Sequence, residues 1–471
     1  MAGETETLAR WTAALRFGDI PAAVAGRAKV LALDLLGSAV RARAEADSTP
    51  SILAALAELG LDGEGPGTVM GDLRRYAPPI AALLNGALGH SLDFDDTHAE
   101  SSLHPSAPVV PAALAAGELA GADGRAVVTA IVAGYEVCCR LGLALDPTAH
   151  YARGFHPTAT AGVFGAAAAA GKLLGLEADQ LVSAFGVAGS QAAGSLQFLV
   201  NGAWNKRWQV GAAAMNGVLA AGLARQGFVG AVEAVEGKHG LLQGYTDGAQ
   251  VGRVTQGLGR DWETLRVGVK PYPSCRYTHA ALDGLIALRR EHAIAPKEIR
   301  RVLVGLHRNG LTLTAEPLPA KRRPANVVAG QFSMPFTAAV ALDQGAFGWD
   351  DYRRLGDARI EALADRIEVV RDPAVETGSP HPFGARVRIE TDRGVFERSV
   401  PDPSGEPESF PAPEAMTAKF LTLAKPVLGA AAARLAEVVL GLEAQPDLSG
   451  LAAARPTAGT TPGSRLRFAQ G

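Results

Sequence analysis

"AAVAGRAKVLALDLLGSAV" (residues 22–40) and "AAAMNGVLAAGLARQGF" (residues 212–228) repeat apolar residues at the three- and four-residue spacing of a helix face. Small side chains fall on several faces of each stretch. Helices of this kind approach closely, which predicts a packed helical core, and no heptad or longer repeat persists to suggest a coiled coil or solenoid. The same texture runs from residue 6 to about residue 260. At 471 residues the chain exceeds what one core usually holds, so two domains are expected.

The texture changes near Lys270. "EIRRVLVGLH" (298–307), "RIEVVRD" (366–372) and "ARVRIETDRGVFERSV" (385–400) are rich in Val and Ile and alternate in polarity, as strands do, the last turning at "TDRG". Helical patterns are interleaved at 331–345 and 349–366. The expectation is a helical domain over 1–267, a smaller α+β domain over 268–400, a helix over 401–450 returning to the first domain, and a loose tail at 451–471. The fold class is therefore mainly α with an α+β part.

Charge excludes several partners. With 45 Lys and Arg against 48 Asp and Glu, net −3, there is no global field to gather nucleic acid or an acidic membrane, so any anion is attracted locally. Three cysteines, Cys138, Cys139 and Cys275, are too few for a disulfide framework and suit a reducing, cytoplasmic setting. "MAGETETLARWTAALRFGD" (1–19) puts acids where a secretory signal needs basic and apolar residues, and reads as a helix. The long uncharged run Gln180 to Asn205 carries Ser, Gln, Asn and Gly, which predicts buried helices joined by a turn rather than a membrane span.

"HSLDFDDTHAESSLHPSAPVVPAALAAGE" (90–118) holds the first candidates for chemistry. A helical phase sets Asp93 and Thr97 along one side with Asp95 elsewhere, and His104 stands extended before Pro105 at a helix start. "HPTATAGVFGAAAAAGKLLG" (156–175) repeats that grammar with His156 before Pro157. Positive helix ends with open N–H groups suit a carboxylate or phosphate. A His-Pro pair is also ordinary turn chemistry, and Asp95 and Asp96 can simply cap a helix. Asp93, Asp96, His98 and His104 supply donors for a metal, although no compact ligand spacing is present. "NGAWNKRWQVGAA" (201–213) adds Lys206 and Arg207, and "VGVKPYPSCRYTHAALDGL" (267–285) adds Lys270, Cys275, Arg276 and His279. Several such cations around helix mouths would select a di- or tricarboxylate.

Together with "GYEVCCRLG" (134–142), "ARQGFVGAVEAVEGKHG" (224–240) and "VKPYPSCRYTHAALD" (269–283), these stretches resemble the MmgE/PrpD family, in order, from about residue 6 to about 440. The resemblance implies a large helical domain with a smaller α/β lid, a homodimer, no metal and no organic cofactor. It implies proton abstraction beside a carboxylate of a small substrate, dehydration first, with decarboxylation or epimerisation as alternatives. Carried over, Asp93, His104, His156, Lys206 and Lys270 would be catalytic, with His104 as base tuned by Asp93 and His156 as acid or ligand. Thr97, Arg207, Cys275, Arg276, His279 and Phe336 would contact substrate. Two departures stand out: Gln209 replaces a histidine and Phe336 a phenol of many relatives, so another group must deliver any proton the phenol supplies. An inert, carboxylate-binding relative is the reading from a different class.

Overall fold

A computed structural model of the chain describes residues 3–376 and 383–456; it is 61% helical and 8% strand, which bears out the mainly α class with a smaller α/β part. Two compact units emerge. One runs to Val269 and resumes at Ala412, and the other is Lys270–Pro411.

The first unit is built on helices α1 (Ala22–Glu45), α2 (Pro78–Gly89), α3 (Ser106–Ala120), α4 (Gly124–Ala144), α5 (Gly162–Leu173), α6 (Ala178–Gln191) and α7 (Asn205–Arg225). Helix α5 sits among α3, α4, α6 and α7, and every residue from Gly162 to Gly171 is buried. Its run of Ala and Gly is why: a helix enclosed on all sides has room for methyl groups only. The uncharged run from Gln180 divides as its glycines suggest, α6 ending at Gln191 and α7 starting at Asn205. Helix α4, the one described helix long and apolar enough to cross a membrane, has 94% of its apolar window buried against its neighbours.

Close packing also aims the helix ends. A Cβ on Gly86 of α2 would lie 3.0 Å from Ala107 O of α3 and 3.0 Å from the Gly211 Cα of α7, so only glycine lets these three helices meet. Their meeting brings together the C-terminal end of α2, before His90, and the N-terminal ends of α3 and α7, next to His104 and Lys206. Two short strands, β1 (Thr97–His98) and β2 (Val267–Gly268), pair antiparallel with Thr97 opposite Gly268. The buried Glu136 of α4 holds the approach to β2, accepting from Glu263 N at 3.1 Å, Thr264 N at 2.9 Å and Thr264 Oγ1 at 2.8 Å.

The second unit carries α8 (His279–Glu291), α9 (Met334–Gln344) and a four-stranded sheet of β3 (Ile299–Leu306), β4 (Ile367–Arg371), β5 (Ala385–Thr391) and β6 (Gly394–Val400), in the order β4-β3-β5-β6. The β3/β4 pair is parallel and the other two are antiparallel. β5 alternates buried and open residues as a one-sided strand does. Residues 401–411 stay with this unit instead of opening the returning helix as expected. The reason is ionic: Glu406 pairs with Arg276, and Ser404 N donates to Asp283 at 2.7 Å.

The chain then re-enters the first unit as α10 (Pro413–Leu428), packed along α1. Lys419 of α10 is the pin. Its ammonium meets Asp34 of α1 at 2.6 Å, donates to Phe94 O at 2.8 Å, and lies 3.8 Å above the Phe94 ring. Burial raises the Asp34 carboxyl above its usual range, with Lys419 pulling the other way. We expect Lys419→Met to cost about 3–5 kcal/mol in urea unfolding, because Asp34 stays buried without its cation. A cost below about 1 kcal/mol would show that the pair is not the anchor. Part of the expected loose tail is ordered, since Ser449–Ala454 forms a 3-10 helix with Leu451 and Ala454 buried; residues 457–471 lie outside the described residues.

Candidate active site

After α2 ends at Gly89 the chain from His90 to Ser102 is irregular apart from β1, so the helical phase expected for Asp93 and Thr97 does not occur. Asp93 instead takes φ 53°, the left-handed region that Asp tolerates better than most residues. That turn sets its Oδ1 at 2.6 Å from Lys206 Nζ, on the first turn of α7. Asp93 therefore holds Lys206. Other groups stand beside His104.

Those groups are its neighbours. Asp96 accepts from Ser106 N at 3.2 Å and Ser106 Oγ at 2.6 Å, capping α3 as a structural aspartate would. Burial, then the charge of Asp95, raises the Asp96 carboxyl well above the usual range. Asp95, which the helical phase turned away, lies 2.6 Å from His90 Nδ1 and 3.9 Å from His104 Nδ1. His98 is structural, its two ring nitrogens meeting Ser101 Oγ at 2.7 Å and Glu263 Oε2 at 3.1 Å.

Three imidazoles converge here. The His90 ring lies edge-on to His104 at 5.0 Å between centroids and stacks on His156 at 5.9 Å. Their acceptors assign their tautomers. His104 Nδ1 meets the Asp96 carbonyl at 2.5 Å, and a carbonyl only accepts, so Nδ1 carries a hydrogen and, in the neutral ring, the lone pair is on Nε2. His156 Nδ1 meets Gln209 Oε1 at 3.2 Å, while Gln209 Nε2 donates to Ser195 O at 2.8 Å and so fixes the amide's direction. His90 Nδ1 donates to Asp95, leaving its buried Nε2 without a hydrogen-bond partner among the described residues. In their neutral forms all three rings thus place the lone pair on Nε2. Exposure differs among them: the His104 side chain keeps 16% and the His90 side chain 0%, so His104 is the more open of these two rings.

Burial lowers His156 well below the ordinary imidazole value, helped by the positive neighbours His90, Lys206 and His104 and opposed by the Gln209 hydrogen bond. Burial also lowers His90, outweighing the pull of Asp95. A neutral His156 accepts a hydrogen bond from substrate and acts as an acid only after collecting a proton. These directions set a pH dependence. Above about 6.5 both folded and unfolded chains hold these rings neutral; below it the unfolded chain binds protons first, so stability falls as pH falls. The expected slope is at most about 1.4 kcal/mol per pH unit for each ring. Urea midpoints between pH 7.5 and about 5.5 measure it, and a midpoint that rises on acidification contradicts it.

The remaining expected residues divide. Thr97 Oγ1 stands 3.5 Å from His104 Nδ1 and is half-buried at the same loop. Arg207 Nη1 lies 2.5 Å from Asp47 Oδ1 and 2.9 Å from Ser48 Oγ, partners that the sequence reading did not give it. In the second unit, Lys270 is the first residue and follows Gly268, the strand partner of Thr97, by two positions. Cys275 is buried, and its backbone N donates to Gln331 O at 2.9 Å. Arg276 donates to Glu406 Oε1 at 2.5 Å and to His279 Nδ1 at 2.9 Å, and His279 Nε2 donates to Ser274 O at 3.0 Å. Through these contacts the pair fixes the turn that opens α8. Phe336 is buried, stacked on Tyr352 with centroids 5.9 Å apart and edge-on to Phe347.

Sequence reasoning missed His90, Asp95 and Gln209 as parts of this site. His90 carried no signal beyond its place in the same acidic stretch, and Gln209 reads as a loss until its amide is seen orienting His156. The metal reading changes as well. Among the described residues, one group of His, Cys, Asp and Glu side chains comes close enough to share a cation, and it is His90, Asp95 and His104. The Nδ1 atoms beside Asp95 are engaged as donors, so a cation held here would have to be met through Nε2 of each ring or displace those hydrogens.

Comparison with known proteins places these residues in context. The profile of the MmgE/PrpD N-terminal domain matches residues 6–253, and that of the MmgE/PrpD C-terminal domain matches residues 272–444. A cis-aconitate decarboxylase-like protein, oryM, of Aspergillus oryzae is 31% identical over 95% of this chain and 96% of its own. Cis-aconitate decarboxylase of Aspergillus terreus is 30% identical over 95% of each chain. The human cis-aconitate decarboxylase is 26% identical over 64% of this chain and 63% of its own.

Proposed function

The chain belongs to the MmgE/PrpD family and is a lyase, and on that premise we propose that it is a carboxy-lyase acting on a small unsaturated tricarboxylate of the cis-aconitate type. The observation that carries this reading is the convergence of His90, His104 and His156 beside the Lys206–Asp93 pair. Relatives of full-length similarity named as cis-aconitate decarboxylases support decarboxylation over the dehydration that the sequence favoured.

Lys206 is the cation of this cluster and orients a substrate carboxylate, while neutral His156 Nε2 accepts a hydrogen bond from a bridging water or a protonated substrate carboxyl. His104 carries the moving proton. The bond to the departing carboxylate breaks, its electron pair forms a new double bond, and the former double-bond pair takes a proton from the His104 imidazolium as CO2 leaves. Water then reprotonates His104. Positioned proton transfer of this kind is worth about 10²- to 10⁴-fold. Dehydration is the second reading, favoured by one observation: neutral His104 holds its lone pair on Nε2, as a base for C–H abstraction requires.

Proton NMR in D2O tests both. With cis-aconitate, CO2 release and one deuterium in the product beside a carboxylate are expected. Failure to release CO2 from any unsaturated tricarboxylate, with water lost from a hydroxy acid, would replace decarboxylation by dehydration. Binding without turnover or exchange would leave an inert carboxylate binder.

A further inference from the structure

We propose that Asp95, held in place by His90, is the counter-charge for the proton that His104 carries, so that Asp95 and His90 are positioning residues that act through His104 without touching substrate. This rests on the reading of His104 as the proton carrier.

Geometry supplies the argument. In either direction of proton transfer His104 must exist as an imidazolium in a largely buried cluster packed against His90, an unfavourable place for a positive charge. Its Nδ1 hydrogen bond goes to the neutral Asp96 carbonyl, which orients the ring but brings no full charge. The Asp95 carboxylate lies 3.9 Å from that same Nδ1. Asp95 is wholly buried, and the 2.6 Å bond from His90 Nδ1 helps hold its carboxylate in place. At 3.9 Å its charge is close enough to stabilise the imidazolium.

The other charges around His104 do not take this place. Asp93 is paired with Lys206, and Asp96 is committed to the start of α3. Asp34 of α1 is paired with Lys419 of α10. His156, before Pro157, adds only a neutral ring or a further positive charge.

The test is the pH profile of kcat. Asp95→Asn keeps the shape and removes the charge; kcat should fall at least tenfold, KM should change less than threefold, and the limb assigned to His104 should move at least one unit toward acid. His90→Leu removes the restraint and should also lower kcat at least tenfold. In His90→Asn the amide Nδ2 occupies the place of His90 Nδ1, and it should recover most of that loss, a rescue that simple packing would not give. A folded Asp95→Asn enzyme whose limb stays in place, or which changes KM alone, overturns the proposal. If the variants do not fold, a histidine 15N NMR titration of the native enzyme decides: His104 should titrate above His156 and His90, and a lower value for His104 overturns the proposal. Full activity in His104→Gln would instead remove the reading on which it rests.

Discussion

Replacing His104 by Gln is expected to lower kcat about 10²- to 10⁴-fold, with a much smaller effect on KM. The amide preserves a polar side chain but cannot carry a proton between solvent and a substrate carbon. His104 is singled out by three facts together. Its Nδ1 is tied to the Asp96 carbonyl, its Nε2 therefore holds the lone pair, and it is more exposed than the His90 ring against which it packs. A single-turnover assay separates the chemical step from binding. Wild-type rates in the variant would place the proton transfer on another group.

The second large effect is expected at Lys206. Lys206→Met removes the cation that Asp93 presents, and at an effective dielectric of about 20 a charge contact near 4 Å is worth about 4 kcal/mol, or roughly 10³-fold in kcat/KM. It also strands the Asp93 carboxylate, whose side chain is 6% exposed, so stability should fall by about 3–5 kcal/mol. The double variant Lys206→Met/Asp93→Asn distinguishes the two losses. Its stability should recover, because neither partner is left charged, while its activity should not. Recovery of both would mean that the ion pair serves only the fold.

Much of the architecture is legible without coordinates. The Ala- and Gly-rich periodicity of "AAAMNGVLAAGLARQGF" is a local property, and it becomes a helix in a close-packed bundle because small residues leave no other way to bury so much surface. The turn at "TDRG" joins β5 to β6 for an equally local reason. The end of the second unit was misplaced by about eleven residues, since a Pro-rich stretch looks like a linker until Glu406 is seen gripping Arg276.

The site was legible as an inventory and not as a set of pairings. His104, His156, Lys206, Asp93 and Thr97 stand out in the sequence, and the structure does gather them in the first unit. Their partners were misjudged. The stretch from His90 to Ser102 is a loop rather than a helix, and one left-handed residue, Asp93, sends consecutive aspartates to different partners. Arg207, Arg276 and His279 look as available for substrate as Lys206 does, yet neighbouring groups occupy them.

The sequence by itself determined the helical class, the strand-bearing second unit and the residue types on which proton chemistry can run, because periodicity and side-chain chemistry are carried by neighbours along the chain. Only the tertiary structure decided which aspartate faces which cation and which nitrogen of each imidazole holds the lone pair. Those outcomes depend on hydrogen bonds near 3 Å between segments as far apart as Asp93 and Lys206. Helix packing sets such distances to within an ångström, and no pattern of adjacent residues encodes them.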